Sequence, residues 1–242
     1  MKKIKILGAN CLAVENIDEI KEYVTSLVEK GKGGYSVAIN AEKIMMYKNN
    51  SEMRDIIDRS ILPTPDGAGA VLGLRLLHGK RSLKLDLPKT VLELADENHY
   101  RVFILGASED SNKEGTEKLR SIYPGIDIVG RLNGYFKDES EVAKILNESK
   151  PQIVLVALGS PKQEMFADRM SKKVKGVLFF GCGGALDILA GKVKRAPGFF
   201  INNNLEWFYR LVKQPSRIKR QWVLPVFVLR LIIRRLFVNK SK

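Results

Sequence analysis

Short apolar runs rich in branched residues recur along this chain, separated by longer stretches in which apolar positions return every three or four residues. The first pattern predicts strands buried on both faces, and the second predicts amphipathic helices. Strands are expected at Lys3–Leu7, Tyr35–Ile39, Arg101–Leu105, Ile126–Val129, Ile153–Leu158 and Val177–Phe180. Helices are expected at Ile17–Lys30, Glu42–Lys48, Gly67–Leu77, Lys89–Glu97, Ser111–Ile122, Glu139–Ser149, Pro161–Lys172 and Ala185–Leu189. This alternation predicts an α/β fold, Rossmann-like, with a mainly parallel sheet flanked by helices. In such sheets ligands gather beyond the carboxyl ends of the strands, so chemistry is sought in the loops that lead from strand into helix.

The pattern changes after about Arg195–Pro197. The last 36 residues hold ten Lys or Arg and no Asp or Glu, which is most of the net charge of +14. They also carry Trp207, Phe208, Tyr209, Trp222 and Phe227. The chain therefore divides into an α/β body, residues 1–195, in which any catalytic loops are sought, and a basic helical C-terminal appendage, residues 196–242. From Trp222 to Val238 run 17 residues that include Pro225, Arg230, Arg234 and Arg235. A spanning helix needs about 20 predominantly apolar residues. A helix with arginines at i, i+4 and i+5 gathers its charge on one side, which suits lying in the surface of an anionic bilayer. Nucleic acid also attracts basic segments with interleaved aromatics. It has little use for Val226-Phe227-Val228-Leu229 and Leu231-Ile232-Ile233, so no nucleic-acid partner is expected. At the other end, Met1-Lys2-Lys3 and a short apolar run broken by Lys5 do not make a secretory signal. Cys11 and Cys182 form no CxxC and no disulfide framework, which suits the cytoplasm, and His78 and His99 stand in unrelated contexts. No metal site is expected.

Four strand-to-helix loops can carry chemistry. Asn40, in Ala38-Ile39-Asn40-Ala41-Glu42, suits either a helix cap or a ligand contact. Asp66, in Pro63-Thr64-Pro65-Asp66-Gly67, stands at a helix start, where the positive dipole end favours its charge; it suits either a cap or a general base. In Gly159-Ser160-Pro161-Lys162-Gln163-Glu164, Ser160 and Gln163 have capping-box spacing and Pro161 has the favoured first helical position. The same helix start, with Lys162, can hold a phosphate that Gly159 lets approach. Finally, Gly181-Cys182-Gly183-Gly184 places three glycines directly after an apolar strand, with Lys192, Lys194 and Arg195 downstream. A tight turn explains one of these glycines more easily than three.

Three absences narrow the ligand. The turn after Arg101–Leu105 reads Gly106-Ala107-Ser108-Glu109-Asp110-Ser111, which lacks the dinucleotide fingerprint and argues against a nucleotide-dependent oxidoreductase. There is no G-x-x-x-x-G-K-[ST] phosphate loop. There is also no D-x-D pair, so a nucleotide-sugar diphosphate would have to be met by Lys and Arg.

At these loops the chain resembles the WecG/TagA/CpsF family of bacterial glycosyltransferases. The resemblance rests on Ala38–Lys43, Asp66-Gly67, Gly159–Glu164, Gly181-x-Gly-Gly, Gly191-x-Val-Lys-Arg-Ala-Pro197, Leu205-Glu206-Trp207-x-Tyr-Arg210 and Pro215–Gln221, in that order. It implies transfer of an N-acetylmannosamine-type sugar (neutral or uronate) from its UDP form to N-acetylglucosaminyl-diphospho-undecaprenol. Inversion at the anomeric carbon and action at the cytoplasmic membrane face, without a D-x-D metal or a cofactor, are implied with it. Asp66 matches the family's proposed base, and Asn40, Arg81 and Gln163 match residues implicated in substrate binding or catalysis. Asp86, Gly159, Lys162, Glu164, Gly183, Gly184, Lys194 and Arg195 fall in the matching segments and are expected at the substrates. Arg210, Arg217 and Arg220 are expected to close over the site from the appendage. Arg81-Ser82-Leu83-Lys84-Leu85-Asp86-Leu87 carries Lys84 where the family usually has glycine, so another hexose such as glucose stays open as the donor sugar. Self-association is also left open, through the apolar surface on which the appendage would dock.

Overall fold

The computed structural model describes residues 1–193, 196–202, 206–213 and 222–239. It opens on two short antiparallel strands, β1 (Lys3–Ile6) and β2 (Ala9–Leu12). The expected strand at Lys3–Leu7 therefore exists, but the chain reverses at Leu7 and Gly8, with φ of 50° and 102°, and the hairpin stays outside the main sheet. Next come α1 (Ile17–Glu29), β3 (Gly34–Ile39), α2 (Ala41–Asn49), α3 (Ser51–Arg59) and β4 (Leu62–Pro65). The apolar pattern did not predict α3 or β4. Pro63 and Pro65 argue against a strand, yet β4 is an edge strand with β3 as its one sheet neighbour, where missing donors are tolerated.

Then follow α4 (Gly67–His78), α5 (Leu87–Glu97), β5 (Arg101–Gly106), α6 (Glu109–Ile122), β6 (Asp127–Leu132), α7 (Glu139–Ser149), β7 (Ile153–Ala157), α8 (Lys162–Lys173), β8 (Leu178–Gly181) and α9 (Ala185–Leu189). Short α10 (Gly198–Asn202) and α11 (Glu206–Lys213) precede α12 (Val223–Asn239).

The six strands of the main sheet run in the order β4-β3-β8-β7-β5-β6, and every pair is parallel. Alternate strand residues feed two cores. Val102, Ile104, Ile153, Leu155, Leu178 and Phe180 face α1, α5, α6 and α9. Phe103, Leu105, Val154, Val156 and Phe179 face α2, α3, α7 and α8. The helix after β5 (α6) and the helix after β7 (α8) thus lie on opposite faces, although the two strands are neighbours. In such sheets ligands usually sit at the carboxyl edge beside a strand pair of this kind. Gly106 makes the close approach: a Cβ on it would run into the Ala157 backbone.

The C-terminal helix α12 lies on α2 and α4. Its Phe227 and Leu231 are fully buried and belong to the same core as β3 and α8. Gly69 makes room for it, since a Cβ there would stand 3.4 Å from Phe227 and 3.2 Å from Ala41. The three arginines do not gather on one solvent side as their spacing suggested. Arg230 reaches the Met45 sulfur at 3.7 Å, and Arg235 donates to the Leu76 carbonyl at 2.7 Å. Facing away from the body are Trp222, Val226, Leu229, Ile232, Ile233 and Leu236, all exposed. Among the described residues no helix is long and apolar enough to cross a membrane.

Candidate functional site

Each loop singled out in the sequence leaves the carboxyl edge of the sheet. Asn40 follows β3 and caps α2, its side chain accepting from the Lys43 amide at 3.0 Å. Asp66 follows β4, and its backbone amide donates to the Ile39 carbonyl at 2.8 Å, which fixes it beside the end of β3. Asp66 occupies the cap position of α4, but its side chain makes no capping hydrogen bond. Gly67, at φ 77°, takes the chain into the helix with open space around it. The half-buried carboxylate is therefore held at a helix start and left available to accept a proton.

The loop between α4 and α5 closes in from the side. Leu85 donates to the Pro65 carbonyl at 3.3 Å, Leu83 donates to Val14 at 2.7 Å, and Ser82 bonds Val14 in both directions. The segment from Arg81 to Asp86 is thereby drawn to the strand end that carries Asp66. Arg81 opens on a cavity of about 380 Å³ that it shares with Val71, Arg75, Lys80 and Ser82. Asp86 caps α5 by accepting from the Lys89 amide at 3.4 Å.

The start of α8 differs from its sequence reading. The Ser160–Gln163 capping box does not form, and Pro161 sits at the cap position itself without a side-chain bond. Gln163 is buried, and its side chain turns to the neighbouring loop instead: its Oε1 accepts from the Gly183 amide at 3.1 Å. That contact needs a bare Gly181, where a Cβ would collide with the Gln163 amide. Gly183, at φ 54°, and Gly159, at φ 73°, have nothing within 4 Å of a Cβ position, which leaves room for a ligand beside the main chain, although the Gly183 amide is already given to Gln163. Gly184 is exposed next to them. Lys162 is exposed and lines a second cavity of about 300 Å³, with Phe136, Leu158 and Met165 among its walls.

Glu164 is not on the surface of the site but beneath it, 2 % exposed and paired with Lys43 at 2.9 Å. Lys43 is the residue the sequence reading missed. A usable signal was there: a lysine in the first turn of a helix opposes the dipole and needs compensation. Burial pushes the Cys182 thiol up to about 12, away from the thiolate form that reactive cysteines need. Among the described residues no three His, Cys, Asp or Glu side chains converge in a way that would hold a metal ion. Lys194, Arg195, Arg217 and Arg220 lie outside the described residues; Arg210 is placed in α11 by its backbone alone.

The geometry collects one available carboxylate, two amide side chains, glycine-lined backbone and lysine or arginine at its borders. The sequence model described as the glycosyl transferase WecG/TagA/CpsF family matches residues 4–241. The N-acetylglucosaminyldiphosphoundecaprenol N-acetyl-beta-D-mannosaminyltransferase of Bacillus spizizenii (strain ATCC 23059 / NRRL B-14472 / W23) is 36% identical over 208 residues, covering 84% of this chain and 80% of that protein. The protein of the same name from Bacillus subtilis (strain 168) is 33% identical over 227 residues, 89% of each chain.

Proposed function

Because this chain belongs to the WecG/TagA/CpsF family and is a glycosyltransferase, we propose that it moves an N-acetylmannosamine-type sugar from UDP to N-acetylglucosaminyl-diphospho-undecaprenol. The two Bacillus relatives carry that acceptor and that sugar in their names. The observation that carries the mechanism is the uncapped Asp66 carboxylate, fixed beside Asn40 at the carboxyl edge of the sheet.

In this reading the acceptor hydroxyl gives its proton to Asp66 as its oxygen attacks the anomeric carbon. The bond to the UDP oxygen breaks on the opposite side, so the anomeric centre inverts. Negative charge then gathers on the departing diphosphate. In this proposal the backbone at Gly159 and Gly184, the amide side chain of Asn40 and the cations Lys162 and Arg81 stabilise it in a site poor in water, while Gln163 holds the Gly183 loop in place. Asp86 holds the Arg81 loop through the start of α5. Lys194 and Arg195 at the end of the body, 1–195, and Arg210, Arg217 and Arg220 in the appendage, 196–242, supply the remaining positive charge. A metal bridge is not required when lysine and arginine meet the diphosphate.

The appendage works at an anionic bilayer on the cytoplasmic side, with the outward apolar strip of α12 in the headgroup boundary. Supporting this are the strip itself and the flanking Arg234, which is exposed. Lys84 is exposed in the loop beside Asp66, which keeps a different hexose, such as glucose, as the alternative donor. Incubation with a panel of UDP-sugars and a short-chain acceptor, followed by mass spectrometry, tests both. Addition of an N-acetylhexosamine mass from UDP-N-acetylmannosamine is the expected result. Transfer only from UDP-glucose selects the alternative, and no transfer from any donor rejects the proposal.

A further inference from the structure

Lys43 and Glu164 form the one ion pair among the described residues in which both side chains are below 5 % exposed, at 4 % and 2 %. Lys43 Nζ also donates to the Ala38 carbonyl at 2.9 Å. Glu164 uses a single oxygen twice: Oε1 takes Lys43 Nζ at 2.9 Å and Gln163 Nε2 at 3.3 Å. Its other oxygen, Oε2, is buried without a partner. As a device for stability this is poor. A buried ion pair is commonly matched or bettered by apolar side chains of the same volume, and an orphaned buried acceptor adds to the cost. The cation also stands in the first turn of α2, at the unfavourable end of that helix.

What the pair does provide is registration. Helix α2 begins at Asn40, whose side chain is bonded to the Lys43 amide. Helix α8 carries Gln163, whose Oε1 holds the Gly183 amide at 3.1 Å. One cation therefore ties the loop after β3 to the loop after β7 and, through Gln163, to the glycine loop after β8. We propose that Lys43 and Glu164 are positioning residues that set the separation of Asn40, Gln163 and the Gly183 backbone around the reacting centre. The proposal rests on the glycosyl-transfer reading of that site. Neither side chain touches substrate. Glu164 acts through Gln163, and Lys43 acts through the start of α2.

The test uses Lys43→Met, Glu164→Gln, the charge-keeping Lys43→Arg, and the double variant Lys43→Met/Glu164→Leu in the full chain. Misplacement of a catalytic group by about 1 Å costs on the order of 10²-fold in rate. The two single neutral variants should therefore lose roughly 10- to 100-fold in kcat with a donor KM changed by less than about threefold, the mark of geometry and not of ground-state binding. Lys43→Arg should retain more of kcat than Lys43→Met. The double variant, apolar against apolar, should regain the wild-type melting temperature without regaining kcat. A double variant whose kcat returns together with its stability would overturn the proposal, as would a rise in KM with kcat unchanged. Amide hydrogen exchange at Gly183 gives a readout without substrate. It should speed up in both single variants, and unchanged protection overturns the proposal. If wild-type protein transfers no sugar, the functional reading fails, while the exchange measurement still decides whether the pair holds the loop.

Discussion

A carboxylate at a helix start usually accepts from the helix's own amides, and Asp66 does not. It occupies the position with the right dihedral angles, φ −118° and ψ 120°, and leaves its oxygens for something else. Asp66→Asn should therefore leave the melting temperature almost unchanged while lowering kcat by about 10²–10⁴-fold, the usual contribution of a general base. Activity within a few-fold of wild type would remove Asp66 from the mechanism. A second carboxylate works in the opposite way. Burial alone would raise the Asp168 carboxyl, but hydrogen bonds from Arg59, Lys172 and Tyr35 outweigh it and hold the group below its ordinary value. A depressed folded-state value stabilises the fold at neutral pH, and that contribution is lost as pH falls below the ordinary carboxylate range. Asp168→Asn should cost about 2–3 kcal/mol in urea denaturation at pH 7, given bonds to charged partners. The difference should shrink near pH 3, and an equal loss at both values would show that charge is not the cause. At this scale the sequence singled out Asn40, Gly159 and the glycine loop because each follows an apolar run directly, and Asp66 because it stands between proline and glycine at a helix start. The partners of Lys43 and Gln163 were hidden, since Lys43 meets Glu164 across more than 100 residues and Gln163 meets the Gly183 amide of a separate loop 20 residues on.

At the scale of elements, periodicity located five of the six strands of the main sheet and most helices between them, because β3, β5, β7 and β8 are buried and read as continuous apolar runs, while the half-buried edge strand β6 keeps a shorter one. β4 escaped for a local reason. Its two prolines are tolerated only because of its edge position, which is a property of strand order and not of the segment. The hairpin of β1 and β2 escaped because Gly8 permits a reversal that a run of apolar residues does not announce. The hairpin is also packed tightly on α4, where a Cβ on Gly73 would stand 2.6 Å from the Ile6 side chain. Gly73→Ala should cost about 1–3 kcal/mol from overpacking, despite the better helix propensity of alanine. A neutral or stabilising result would mean that the hairpin yields without cost. The docking of α12 is testable in the same way. Phe227→Ala should destabilise by about 3–5 kcal/mol if α12 unfolds together with the body. A loss below about 1 kcal/mol would show that the helix detaches on its own before the core opens.

The whole molecule presents one face that its own core does not use. Replacing Leu229, Ile232 and Leu236 with serine touches no buried contact of the body, because all three are exposed. The triple variant should keep activity on a water-soluble acceptor and lose most of its co-flotation with anionic vesicles, while wild type binds neutral vesicles weakly. Retained flotation would move the membrane contact elsewhere. If the strip does lie on the leaflet, the fold acts as a ruler. Phe227 of α12 touches the position of Gly69, and Gly69 is three residues, about 4.5 Å of helix rise, from Asp66. Asp66 is then held roughly one helix diameter, about 10 Å, above the lipid. An acceptor anchored in that leaflet would have to present its hydroxyl at that height to reach Asp66. Standing height would then be a property the fold imposes on its acceptor before any side chain touches it.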